Sequence, residues 1–201
     1  YAIRIETFEE MSDDMGEEKA KRRMRVTGAS VFKKDKLIGW LNRPETRGLN
    51  WIRAKVSSGV IVVKSPIDEN KNVALEIIRA SSKIDPEIRN GKITMNIEIH
   101  EEGNVGEQMS KGSLLTPEMF KILEQRKAIV IKNEIESVLE KAQKEWGVDI
   151  FGFGEALHRK YPKEWKELKN RWEEEFPQVE VNIEVSAKLR VGGLANKAII
   201  P

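Results

Sequence analysis

Cysteine is absent from the 201 residues, which excludes disulfides, thiolate metal sites and a cysteine nucleophile. Histidine is scarce: His100 and His158 are too few for a histidine-rich metal cluster. No stretch approaches the roughly 18 consecutive apolar residues of a membrane-spanning helix, and no signal peptide is visible. A marked excess of one charge is also lacking. Lys+Arg number 35 and Asp+Glu 33, giving a formal net charge of +2. A general nucleic-acid surface carries a clear basic excess, so nucleic acid is not an expected partner. The chain opens at Tyr1 without an initiator Met, inside a segment that reads as a strand. The expectation is a piece of a longer protein whose targeting or anchoring segment lies elsewhere.

What is present is a pattern of alternating and helical periodicities. Residues 2–8 alternate apolar and polar, as a strand does, whereas 9–23 are nearly all polar and read as a solvated loop. Residues 24–32 and 37–41 flank the turn Lys33-Lys34-Asp35-Lys36 and predict a hairpin. Pro44 and Glu45 open a short helix over about 44–53. From residue 56 the pattern becomes a meander. Val60–Val63, residues 73–84 and residues 92–99 are its strands, with Asp85-Pro86 and Asn90-Gly91 as punctuation. Ile93, Met95, Ile97 and Ile99 share one face, which predicts an antiparallel sheet covered on one side. Residues 103–115 read as a loop. Thr116 is a candidate N-cap with Pro117 behind it, opening a helix that runs to about Trp146. Gly147 ends it, Asp149 caps a second helix, and 163–175 reads as a third, with Trp165, Leu168 and Trp172 on one face. Residues 179–189 alternate again and close the sheet.

The expected fold is therefore α+β: a mostly antiparallel sheet in the order β-β-β-α-α-α-β with helices on one face, plus a smaller β-rich N-terminal part. The expected division is 1–54, then 55–192, then a tail over 193–201.

Few features carry chemistry. Phe151-Gly152-Phe153-Gly154 contains Gly-x-Gly before a helix, but no strand precedes it and Asp149 would repel phosphate. Close backbone packing around Phe151 and Phe153 is the plainer reading, and an aromatic anchor for a protein partner is the other. Trp40 and Trp51 flank Glu45-Thr46-Arg47-Gly48. They either fill a small core or present an aromatic and arginine surface, where the planar fork of Arg47 suits a carboxylate. His158, with Glu155 one turn before it, lacks a nucleophile to serve. His100 among Glu98, Glu101 and Glu102 is a weak metal motif. No Ser sits in a nucleophile elbow. The residues alone give a binding or structural module with no catalytic, cofactor or metal site. Its candidate partner-binding residues are Trp40, Arg47, Phe151 and Phe153.

Two blocks bring a family into view. Val31-Phe32-Lys33-Lys34-Asp35-Lys36-Leu37-Ile38-Gly39-Trp40-Leu41, followed by Glu45-Thr46-Arg47-Gly48-Leu49, is one. Gln143-Lys144-Glu145-Trp146-Gly147-Val148-Asp149-Ile150-Phe151-Gly152-Phe153-Gly154-Glu155-Ala156-Leu157-His158-Arg159-Lys160-Tyr161-Pro162 is the other. With Lys83-Ile84 and the closing strand from Val179 to Arg190, residues 29–192 resemble the C-terminal region of the Ger(x)C family. These are the lipoprotein C subunits of spore germinant receptors. The ending Val191-Gly192-Gly193-Leu194 departs from the Arg-rich finish of that family.

The resemblance implies a non-enzymatic, extracytoplasmic protein held on the inner spore membrane by a lipidated Cys that this chain does not contain. It implies membrane A and B subunits as partners in nutrient sensing, and no cofactor. A direct germinant-binding module is the alternative of a different class, and a cell-wall enzyme is a third.

Overall fold

The computed structural model describes residues 4–14, 17–114 and 116–190, with side chains at Met24 and from Val26 onward. The expected tail 193–201 lies outside the described residues. The chain divides into two compact units, Tyr1–Thr46 and Arg47–Pro201.

The first unit contains two separate ladders. Strands β1 (Arg4–Asp14) and β2 (Glu17–Thr27) pair antiparallel, as do β3 (Ala29–Lys33) and β4 (Lys36–Leu41). The loop expected over 9–23 is thus corrected to strand at 9–14 and 17–23. Its register sets Glu6 opposite Arg25, Glu9 opposite Arg22 and Glu10 opposite Lys21. The sequence over 9–23 is nearly all polar, so a hydrophobicity pattern does not reveal strand there. The β3–β4 hairpin turns through Lys34, which takes the left-handed φ of 57°. Helix α1 (Arg43–Ile52) then opens on a reciprocal cap. Asn42 Oδ1 accepts from the Glu45 amide at 2.9 Å, and the Glu45 carboxylate accepts from the Asn42 amide at 2.7 Å.

The second unit is built on a four-stranded sheet in the order β5-β6-β7-β8. Strands β5 (Gly59–Lys64), β6 (Asn72–Arg89) and β7 (Lys92–Gln108) form the antiparallel meander. Strand β8 (Glu180–Arg190) lies parallel to β7, because a long crossover containing all the later helices returns the chain in the same direction. Two punctuation marks fail. Pro86 lies inside β6, opposite Met95. Pairing with β5 ends at Ile77, so the outer side of Pro86 has no ladder to break. The loop expected from residue 103 starts only after Gln108. Gly103 passes beneath Lys127 and the carbonyl of Glu76, where a Cβ would collide with both.

The apolar phase of each strand meets helix α2 (Pro117–Glu140). Ile61, Val73, Leu75, Met95, Ile97 and Ile99 are at most 1% exposed. From the helix come Leu123, Ile131, Ile135 and Val138, all fully buried. Each such side chain contributes about 1.5–3 kcal/mol by leaving water. Thr116 caps α2 as expected, accepting from the Met119 amide at 3.3 Å. The last turn, Lys141–Trp146, widens to a π-helix and ends at Gly147 with φ 60°. Helix α3 (Phe153–Lys160) follows. The single helix expected over 163–175 is two, α4 (Pro162–Leu168) and α5 (Trp172–Glu175), with turns between them.

Candidate functional site

Three polar centres organise the second unit. The first joins α1 to α2. Arg47 lays its fork on Glu134, with Nε 2.9 Å from Oε2 and Nη2 on Oε1. Trp51 Nε1 donates to the same Oε2 at 3.0 Å. Glu134 is 6% exposed and Trp51 1%. A bidentate guanidinium and an indole thus satisfy a carboxylate that burial alone would destabilise. Arg47 also donates through Nη1 to the carbonyl of Val60 at 2.9 Å, tying strand β5 to the joint. Gly48 allows the approach, since a Cβ there would run into the Glu134 backbone.

The second centre is the Asp149 carboxylate. Oδ1 accepts from the amides of Phe151, Gly152 and Phe153 at 2.9–3.1 Å, and Oδ2 from Gly154 at 2.8 Å and from Trp172 Nε1 at 3.1 Å. Asp149 thereby accepts from the first two amides of α3, whose N-cap position is Gly152 and whose start is three residues later than expected. It also fills with its own charge the amide cluster that a phosphate would have needed. Gly152 adopts φ 86°. A Cβ on Gly154 would lie 2.6 Å from the Trp165 ring and 2.8 Å from Trp172 Nε1. The two glycines therefore serve turn and close approach, and the loop is a packing device.

The third centre is hidden between α2 and the sheet. Lys127 Nζ donates to Glu101 Oε1 at 2.6 Å and to the Glu76 carbonyl at 3.1 Å. Both side chains of the ion pair are 0% exposed, and Glu101 Oε2 has no hydrogen-bond partner. Desolvation pushes the Glu101 carboxyl above its usual range and the Lys127 amine below its own.

The four candidate partner residues fall in different places. Arg47 is 28% exposed at its side chain and engaged with Glu134. Phe151 and Phe153 are 4% and 0% exposed, stacked on each other at 5.1 Å and packed with Phe176. Their rings are turned inward in this structure, as the close-packing reading expects. Trp40 is half-buried on β4, opposite Ser30. His158 is exposed and stacks on Trp165 at 6.1 Å. Among the described residues no three His, Asp or Glu side chains converge as a metal site, and no helix is long and apolar enough to cross a membrane.

Sequence reasoning missed Glu134, Lys127 and Glu101. A signal existed. Glu101 continues the period-two face of Ile93 to Ile99, and Lys127 lies four residues from both Leu123 and Ile131.

This assembly of cap, aromatic cluster and crossover lies within residues 27–193, which match the family model described as spore germination B3/GerAC-like, C-terminal. The chain belongs to that family. It is 30% identical over 169 residues to spore germination protein YndF of Bacillus subtilis, covering 83% of this chain and 41% of that protein. It is 26% identical to spore germination protein KC of the same organism, covering 88% and 43%. For spore germination protein B3, again from Bacillus subtilis, identity is 24%, covering 88% and 47%. The chain thus spans less than half the length of these relatives. A crystal structure of the GerBC protein superposes with a TM-score of 0.75 at 22% identity, over 92% of this chain and 56% of that one. The likeness supports the fold, and family membership places the chain among spore germination proteins.

Proposed function

We propose that this chain is the C-terminal region of a non-enzymatic subunit of a spore nutrient germinant receptor. It acts in receptor assembly or signalling at the outer face of the inner spore membrane. The observation that carries the reading is the family match over residues 27–193. The proposed partners are the membrane A and B subunits. Lipid anchoring, through a Cys that these residues do not include, belongs to the part of the full-length protein outside this chain.

The three polar centres support a scaffold role. Arg47, Asp149 and Lys127 each meet an internal partner. Such groups fix one arrangement of helix on sheet. Trp40 and Arg47, both half-buried, are the contact candidates this proposal keeps, because tryptophan and arginine are enriched at the centres of interfaces.

The test is to tag the full-length protein in spores, solubilise the inner membrane gently and identify what co-purifies. Recovery of the A and B subunits, lost on deleting 27–193, is the expected result. Recovery of the tagged protein alone, where other membrane complexes survive, would overturn the proposal. Calorimetry of this chain with amino-acid and sugar germinants is expected to give no binding heat. A saturable heat would move the function to direct sensing.

A further inference from the structure

The sheet ends on one side at β5, an edge of six residues. In an antiparallel strand the N–H and C=O of one residue point to the same side, and successive residues alternate. Arg47 Nη1 reaches the Val60 carbonyl at 2.9 Å, and Arg126 Nη1 reaches that of Lys64 at 2.9 Å. Both carbonyls therefore point away from β6. Val62 lies midway between them in the same phase, so its N–H and C=O point outward too. The two guanidinium groups bracket this single residue. Each is already neutralised, Arg47 by Glu134 and Arg126 by Glu69.

Beside Val62, between β5 and α2, lies a groove of about 380 Å³ with Val62, Val63, Ile129 and Val130 among its walls. Val60, Val62 and Ile129 are 48%, 56% and 57% exposed. An open main-chain donor and acceptor thus sit beside aliphatic surface.

The chemistry restricts the occupant. An anionic ligand finds both arginines already paired. A second folded copy needs roughly 800 Å² per partner for a stable dimer. The edge is only about 20 Å long, and the arginines close both ends. An extended peptide meets both open demands, with a main-chain pair for Val62 and an aliphatic side chain for the groove.

We infer that the β5 edge is a docking site for a short, extended, uncharged segment of another polypeptide. That segment pairs with the main chain of Val62 and seats an aliphatic side chain against Ile129. The inference rests on residues 47–130 and does not depend on the germination reading.

The test is an NMR titration of the 201-residue chain, labelled with nitrogen-15. The probe is the acetylated, amidated pentapeptide Thr-Val-Thr-Val-Thr. Saturable shifts at the Val62, Val63 and Ile129 amides are expected, with Kd on the order of 1 mM. The same peptide N-methylated at all five residue amides keeps its threonine hydroxyls but has no residue N–H to offer the Val62 carbonyl, and is expected to lose the shifts. Ile129→Lys changes an exposed residue and is expected to weaken binding by about fivefold or more. Val62→Pro removes the outward N–H without breaking a ladder bond to β6 and is expected to act alike, its effect on the backbone checked by the shifts of β6 and β7. No saturable shift, equal binding of the N-methylated peptide, or concentration-dependent shifts at Val62 without peptide would each overturn the inference. The last would assign the edge to a second copy.

Discussion

Gly48 lies against the backbone of Glu134 so closely that a Cβ on it would fall 2.7 Å from the Glu134 carbonyl carbon. The contact is backbone on backbone, and no side-chain rotation relieves it. It sets how near α1 comes to α2, and so whether Arg47 and Trp51 can both reach the Glu134 carboxylate.

Gly48→Ala is therefore expected to destabilise by about 3 kcal/mol, a fall in Tm of roughly 6–12 °C. Thermal melting followed by circular dichroism reads it. An unchanged Tm would mean that α1 shifts freely over α2.

The Lys127–Glu101 pair predicts strong non-additivity. Lys127→Met alone strands a carboxylate at a fully buried site and is expected to cost about 3–5 kcal/mol. Lys127→Met with Glu101→Leu removes both charges and is expected to recover most of that loss, because neither desolvation cost remains. Urea denaturation of the parent, the two single variants and the double variant measures the coupling. Additive losses would show that the pair does not act as one unit.

Asp149→Ala leaves two loop amides, the first two amides of α3 and the Trp172 indole without their acceptor. A loss of about 3 kcal/mol is expected, together with a change in tryptophan emission as Trp172 loses its partner. Asp149→Asn keeps one acceptor oxygen and should fall between. Full stability of the alanine variant would assign the loop to aromatic packing alone.

The Lys160–Asp85 bridge, 2.6 Å long, predicts a pH dependence. Hydrogen bonding from Lys160 is the main cause holding the Asp85 carboxyl below its usual range. A carboxylate lowered in the folded state stabilises above its unfolded pKa, about 3.9, and loses that contribution as pH falls through the lower folded value. Lys160→Ala should thus flatten the acid limb by removing that contribution near neutrality, a small loss because the pair is exposed to water, while parent and variant converge at low pH. An identical acid limb in parent and variant would refute the linkage.

Much of the fold was legible because periodicity was strong where one face is buried. Ile93 to Ile99 fixed the phase of β7, and Thr116-Pro117 fixed the start of α2. The rest was hidden for physical reasons. Residues 9–23 are nearly all polar and carry no apolar alternation to read. Pro86 misled because its unpaired flank depends on where β5 stops, a tertiary fact. Glu101 and Lys127 each fall in the apolar phase of their own element, but that the two meet is decided only when strand and helix are placed together. Of the site, Asp149 was recognisable as a cap from its position before Gly152. Arg47 was recognisable as a fork, but its acceptor lies 87 residues away, beyond any local pattern.

The parallel pairing of β8 with β7 decides how this protein can be cut. Asn182 donates to Asn96 across 86 residues of sequence, and the ladder runs from Thr94 opposite Glu180 to Asn104 opposite Arg190. A fragment that stops before residue 180 loses more than a tail. It bares the full flank of the longest hairpin, and an unpaired flank of that length is a template for aggregation. Expression boundaries for this region therefore belong beyond Arg190, however dispensable the C-terminal residues look on paper.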